Sequence, residues 1–432
     1  MLRRFLLACV LAGLAIPARA EVTVAGWPGG PEEVALRKVV AQYNAMPGRT
    51  DEDRVKLLFF NREGFFDKLQ ADMAAGSTQF DVNLVATYSL GKYAPFMDPI
   101  TLPADAAQTF GPAVIKTMTY DGKVYGVPTD LSLHFMYVRR DLMTKLLADA
   151  DWQKTYGQIA QKYLGETLAP KDPESWNWQD WAATALFFTR AVNPASPVRY
   201  GTVLQMKNLL FNMMVFQSLP RAYGGDWRDA AGKITVDSPA YRTALELYKK
   251  LYDAGATPKD SLSYEFAEAN AAFGSGQVAT MLQWNAAASD LDDKTKTPAV
   301  AGKIETVAPP AGPAGRFTHI HSLGLGLNKA SLHKAAALHF LTWLASPPAI
   351  TAYAAAGGSP AITTAVEGRP DLAKLGAFAT KYGYVMNGGS SANALGVYEA
   401  QAKYFTGYWG GTLSLDAALA QTSAAMGKLL AP

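Results

Sequence analysis

The residues best suited to chemistry lie where apolar runs end. Trp27 stands in Gly26-Trp27-Pro28-Gly29-Gly30-Pro31, which has too little helix or strand around it to pack an indole within itself. Asn61-Arg62-Glu63 and Tyr88 follow two further apolar runs, Tyr223-Gly224-Gly225 interrupts a helical region, and Trp284-Asn285 closes Val278–Gln283. His321-Ser322 opens the Gly-rich run Leu323–Leu327. Aromatic faces supply stacking area, and planar amide, carboxylate, guanidinium and imidazole groups orient a partner by hydrogen bonds. Glycine lets backbone N–H groups come close to it. This is chemistry for holding a small molecule, and Trp284 is the foremost stacking candidate. Each position also has a plainer use: loop packing for Trp27, helix capping and a solvated ion pair for Asn61 to Glu63, core filling for Tyr88. Trp176, Trp178 and Trp181 surround a helix start and read as packing.

Bond-breaking signatures are missing. The sequence has no G-x-S-x-G elbow, H-E-x-x-H helix or phosphate-binding P-loop. A pair of catalytic carboxylates stays an open alternative. His319 and His321 share one face at strand spacing, but no third His, Asp or Glu lies within ten residues on either side. Structural or ligand hydrogen bonding therefore fits them better than a metal, and no cofactor is expected.

Arg3 and Arg4, the apolar run Phe5 to Ile16 and the small-residue site Ala18-Arg19-Ala20 read as a secretory signal, residues 1–20, with the mature chain starting at Glu21. That places the protein in the periplasm. The only cysteine, Cys9, leaves with this segment, so core burial and not disulfides must supply stability. The net charge of +3 matches the three arginines of residues 1–20, which carry no acid. The mature chain is neutral overall, with no electrostatic footprint for nucleic acid.

The elements that must position these residues follow from periodicity. Glu21–Ala25, Val55–Phe60 and Phe80–Ala86 read as strands, with helices over Glu32–Asn44 and Gly64–Ala75 between them. Strand–helix alternation implies a parallel sheet, with ligands at the strand C-termini. Asp121-Gly122 is a tight hairpin turn, Lys123–Val127 a strand that Pro128 stops, and Leu131–Val138 a second strand running into a helix at Asp141. There the chain passes from one lobe to another. The middle is helix-rich (Trp178–Arg190, Lys207–Ser218, Ala240–Ala254, Ala267–Phe273), and the tail from Thr363 is mostly helical. The expected first lobe is 21–128 with 287–342, and the second 129–286 with 343–432.

Asp121-Gly122-Lys123, Tyr125-Gly126, Pro128 and Asp130 resemble the crossover of the family 1 extracellular solute-binding proteins, the receptors of bacterial sugar-uptake ABC transporters. Gly224-Gly225-Asp226-Trp227, Gly232-Lys233 to Ser238-Pro239, and Ala272-Phe273 with Ser275-Gly276-Gln277 to Trp284 resemble further family segments in the same order. Together they cover nearly the whole mature chain. The resemblance implies an α/β, two-lobe periplasmic-binding-protein fold with a hinge and an inter-lobe cleft. It implies a monomeric receptor, without enzymatic activity, that binds a carbohydrate and passes it to permease subunits. It also implies that Asp130 accepts ligand hydroxyls. A receptor for a non-sugar solute such as a polyol, or a secreted carbohydrate-active enzyme, is the alternative. Gln277 departs from the usual basic residue, and His319 and His321 have no general family role.

Overall fold

The computed structural model describes residues 21–50, 53–61, 64–360, 362, 366–386 and 389–430. Along the chain the strands that build its two main sheets are β1 (Val22–Gly26), β2 (Val55–Phe59), β3 (Val82–Ala86), β4 (Met97–Asp98), β5 (Val127–Ser132), β6 (His134–Arg139), β7 (Tyr200–Val203), β8 (Val278–Trp284), β9 (Ile304–Val307) and β10 (His321–Asn328). The helices that matter for the site are α1 (Gly30–Asn44), α2 (Phe65–Ala74), α3 (Trp178–Phe187), α4 (Leu210–Phe216), α5 (Pro239–Asp253), α6 (Phe266–Gly274), α7 (Pro347–Ala355), α8 (Pro370–Tyr382) and α9 (Ala394–Trp409). Among the described residues no helix is long and apolar enough to cross a membrane.

The first lobe is built on the sheet β2-β1-β3-β10-β4, with β5 also paired to β10. β1 runs parallel to both β2 and β3, with Val22 opposite Val55 and Val24 opposite Val82. β1 and β3 are buried along their whole length, as expected of parallel strands covered on both faces. β10 comes back antiparallel to β3 and β5. Its glycines are required by close approach: a Cβ on Gly326 would lie 2.3 Å from the Tyr125 carbonyl oxygen, and one on Gly324 would lie 2.7 Å from that of Val127.

Pro128 does not end pairing as expected. β5 contains it, and the ladder to β10 slips there: Leu323 faces Asp130 while Gly324 faces Pro128. The extra residue, Thr129, makes a bulge, the setting in which a sheet tolerates proline. The Asp121-Gly122 turn forms as expected, both residues at positive φ (48° and 72°), between Thr119–Tyr120 and Lys123–Val124. The strand expected over Leu131–Val138 is broken at Leu133, where the chain changes sheets.

The second lobe carries the sheet β9-β6-β8-β7, with helices around it. Two pieces lie differently from the expected lobe boundaries. β9, in 287–342, pairs with β6 in the second sheet. α7, in 343–432, packs on α1 in the first lobe. The chain therefore crosses at Leu131–His134, at Thr318–His321, and once more between Ala355 and Pro370. Trp284-Asn285, beside the expected lobe boundary at 286/287, marks a strand end that touches the hinge without leaving its lobe.

Candidate functional site

Between the lobes lies a cavity of about 80 Å³ lined by Trp27, Gly30, Pro31, Glu32, Tyr88, Ser132 and Leu323 on one side and Phe211, Glu265, Phe266, Trp284 and Ala286 on the other, with His321 at the hinge. Local structure explains each arrival. Trp27 follows β1, in a loop whose Gly29 and Gly30 both take positive φ (90° and 78°). The Glu33 carboxylate accepts the Gly29 N–H and pairs with Arg37, which closes this loop and holds the Glu33 carboxyl below its usual range. Trp27 meets Phe65 and Phe66 edge-on at 5.2 and 5.7 Å. Tyr88 follows β3 and meets Phe66 (5.3 Å), His321 (5.0 Å) and, across the cleft, Phe211 (6.3 Å).

Trp284 faces these groups from the second lobe. Its ring touches His134 at 4.1 Å and His321 at 5.0 Å. Its backbone is held from both sides: the Gln283 side-chain oxygen accepts the Trp284 N–H, and the Tyr137 hydroxyl donates to the Trp284 carbonyl at 2.8 Å. Gln283 is itself fixed by Gln205 and Asn270. Two carboxylates, Glu32 and Glu265, reach the cavity from opposite lobes, and no Arg or Lys is among its described lining residues. The volume is well below the roughly 300–1,000 Å³ of small-ligand sites, so the lobes as they stand leave room for only part of such a ligand. A larger open hollow, about 890 Å³ around Arg190, Arg199 and Lys259, lies within the second lobe and holds none of the candidate residues.

Residues 38–380 match the bacterial extracellular solute-binding protein family. The chain belongs to the bacterial extracellular solute-binding proteins. Among relatives, a binding protein of Brucella abortus is 26% identical over 333 residues, spanning 73% of this chain and 71% of that one. In fold, the chain is similar to maltose-bound T. maritima MalE3, with a TM-score of 0.74 at 21% identity, covering 95% of this chain and 100% of that one. It is also similar to an ABC transporter solute-binding protein from Agrobacterium radiobacter in complex with ribitol, with a TM-score of 0.73 at 18% identity, covering 95% and 99%. The fold is thus the α/β, two-lobe fold of these receptors, as the resemblance implied.

Of the candidate residues, this solute-binding protein brings Trp27, Tyr88, Trp284 and His321 together at the cleft. The others lie differently. Asp130 is buried and engaged: one carboxylate oxygen accepts the Tyr353 hydroxyl at 2.5 Å and the other the Ser359 N–H at 2.7 Å. It ties α7 and the segment after it to β5. Burial raises its carboxyl above the usual range against the pull of these bonds. Asn285 donates to the Leu131 carbonyl and accepts the Leu133 N–H, so its amide is spent on the hinge. Ser322 accepts the Thr117 hydroxyl inside the first lobe. Gly225 is a packing residue, since a Cβ there would sit 2.9 Å from that of Ala240 on α5. Tyr223 is half-buried; burial and Glu166 raise its phenol, while its hydrogen bond to Gln179 lowers it. Asn61 is exposed after β2 and does not line the cavity. Arg62 and Glu63 lie outside the described residues.

The packing reading of the tryptophans around α3 agrees with Trp176, Trp178 and Trp181 being buried, the last donating to Thr280. Among the described residues no group of three His, Cys, Asp or Glu is placed to hold a metal ion. Sequence reasoning missed Phe211, Phe266 and Glu265, which stand at the first turns of α4 and α6, and it missed His134. The available signal for the first two was an aromatic at the start of a helix.

The role found for Asp130 makes a prediction. Tyr353→Phe removes one buried hydrogen bond to a charged-type acceptor and lowers the unfolding free energy by about 1–2 kcal/mol. Ligand affinity should stay within twofold. Urea unfolding and calorimetric titration check the pair. A large affinity loss with unchanged stability would return Asp130 to the ligand site.

Proposed function

We propose that this protein captures a neutral polyhydroxylated solute, a sugar or related polyol, in the inter-lobe cleft and delivers it to the permease of an ABC importer. What carries the reading is the lining of that cleft: Trp27, Tyr88, Phe211 and Trp284 converge from both lobes, with two carboxylates, an imidazole and no described cation. Aromatic faces take the C–H surface of a sugar ring, and carboxylates take its hydroxyl protons. A free carboxylate or phosphate on the ligand would be brought against two carboxylates, Glu32 and Glu265, in a cavity with no Arg or Lys among its described lining residues. The maltose and ribitol held by similarly folded proteins agree with this class. The protein acts as a monomer outside the cytoplasm after loss of residues 1–20, binds no nucleic acid, uses no cofactor and breaks no bond in its ligand. Closing excludes water and presents both lobes to the transporter.

A thermal-shift screen of the chain from Glu21 tests this, with mono-, di- and oligosaccharides, polyols, acidic sugars and amino acids. A ligand at a hundredfold over its Kd adds about 2.7 kcal/mol to the folded state, so one neutral sugar or polyol class should raise Tm and be recovered intact. A shift confined to charged ligands, or a sugar recovered in pieces, would overturn the reading.

A further inference from the structure

Three of the protein's five histidines are buried together at the first two crossings of the hinge. His134 begins β6 where the first crossing ends, and His319 and His321 lie on the second. The crossings are laced to each other: the His134 N–H donates to the Thr318 hydroxyl, which donates back to the His134 carbonyl. The rings lie about 6 Å apart, His134 to His319 at 6.2 Å and His319 to His321 at 6.0 Å. Both ring nitrogens of His134 and the Nδ1 atoms of His319 and His321 are buried with no hydrogen-bond partner. His319 Nε2 is bonded to the Tyr398 hydroxyl at 2.8 Å.

The phenol rings in contact with the imidazoles carry no charge to offset a proton. Tyr88 faces His321, and Tyr384 and Tyr398 face His319. All three are phenols, and burial pushes those of Tyr384 and Tyr398 upward, so they stay neutral. Trp284 covers His134 and His321. The carboxylates Glu32 and Glu265 line the cavity that His321 borders, while Asp226 and Arg221 act on the phenols behind. Burial holds all three imidazoles below the ordinary histidine value, His319 at about 3. In water a histidine takes its proton near 6.5. A histidine wetted by opening therefore binds protons that the closed form refuses, and falling pH below about 6.5 draws the equilibrium towards the open form, by up to tenfold per pH unit for each one wetted.

We propose that His134, His319 and His321 form a proton-sensitive latch in the hinge: acidification opens the lobes, and in the receptor role proposed above it thereby releases the ligand. Only this last clause rests on that role.

The test follows the lobes without any ligand. The chain from Glu21 has no cysteine, so Val34→Cys on α1 and Lys207→Cys on the second lobe, both exposed, carry spin labels whose separation is measured at pH 7.5 and 5.5. The long-distance population should rise at least fivefold at pH 5.5 with an unchanged far-UV circular dichroism spectrum. His321→Asn should lose part of that response, and His134→Phe with His321→Asn nearly all of it. Should the double variant not fold, His321→Asn alone decides. Identical distributions at the two pH values, a full response in the variants, or opening only as the helical signal is lost would each overturn the latch. A failed sugar screen would leave these distances unaffected, so the two ideas fail separately.

Discussion

Trp284→Ala lowers ligand affinity by about 30-fold or more and leaves the protein folded. A large aromatic at the centre of a binding site is worth about 2 kcal/mol or more on truncation, and each 1.4 kcal/mol is tenfold. Trp284 meets that description: it is only 8% exposed, and what it shows faces the cavity with His134 behind it and His321 at its edge. The frame does not depend on the indole. Tyr137 holds the Trp284 carbonyl and Gln283 its N–H, so β8 keeps its end when the ring is gone. The stability cost should fall below the roughly 3–5 kcal/mol of a Trp removed from a closed core, because the void opens on the cleft. Trp284→Phe, which restores a ring, should recover part of the affinity. Calorimetric titration with the sugar found in the screen, beside urea unfolding, separates the two effects. An affinity within threefold of the parent protein would remove Trp284 from the platform.

What was legible in the sequence was whatever a local pattern sets. Apolar runs and helical periodicity predicted β1, α1, β2, α2 and β3 within a few residues, and the loops after β1 and β3 delivered Trp27 and Tyr88 because ligand sites in such sheets lie at strand C-termini. What a local pattern does not set depends on partners far along the chain. Asn285 looked like a ligand amide, and its acceptor bond goes to the N–H of Leu133, 152 positions away. The family resemblance implies that Asp130 accepts ligand hydroxyls, and its partners here are Tyr353 and Ser359, 223 and 229 positions on. Gly225 stands in a loop expected to let backbone N–H groups approach a ligand, and Ala240 packs against its Cα. His134, inside Leu133-His134-Phe135, carried no local mark at all. A polar residue next to a hinge has the same sequence signature whether it serves the ligand or the hinge, and only the fold tells these apart.

The hinge reading of Asn285 gives the second large effect. Asn285→Ala should lower the unfolding free energy by about 2–3 kcal/mol and weaken ligand binding as well. The amide joins the crossing at two points, accepting the Leu133 N–H at 2.9 Å and donating to the Leu131 carbonyl at 3.3 Å, while the Asn285 N–H bonds the Leu133 carbonyl. Alanine keeps the last bond and strands the other two groups in a buried place, at about 1–3 kcal/mol for each group left unsatisfied. Asn285→Asp is the sharper comparison. It keeps an acceptor for Leu133 but turns a second oxygen on the Leu131 carbonyl, so it should rescue little, whereas a ligand-binding amide would often tolerate a carboxylate facing hydroxyls. Because the lost bonds tie the end of β8 to the first crossing, the change should loosen the alignment of Trp284 with Tyr88 and His321 and raise Kd several-fold, without touching any group that lines the cavity. Urea unfolding and calorimetry on both variants decide it. Full stability in Asn285→Ala with binding abolished would place this amide on the ligand after all.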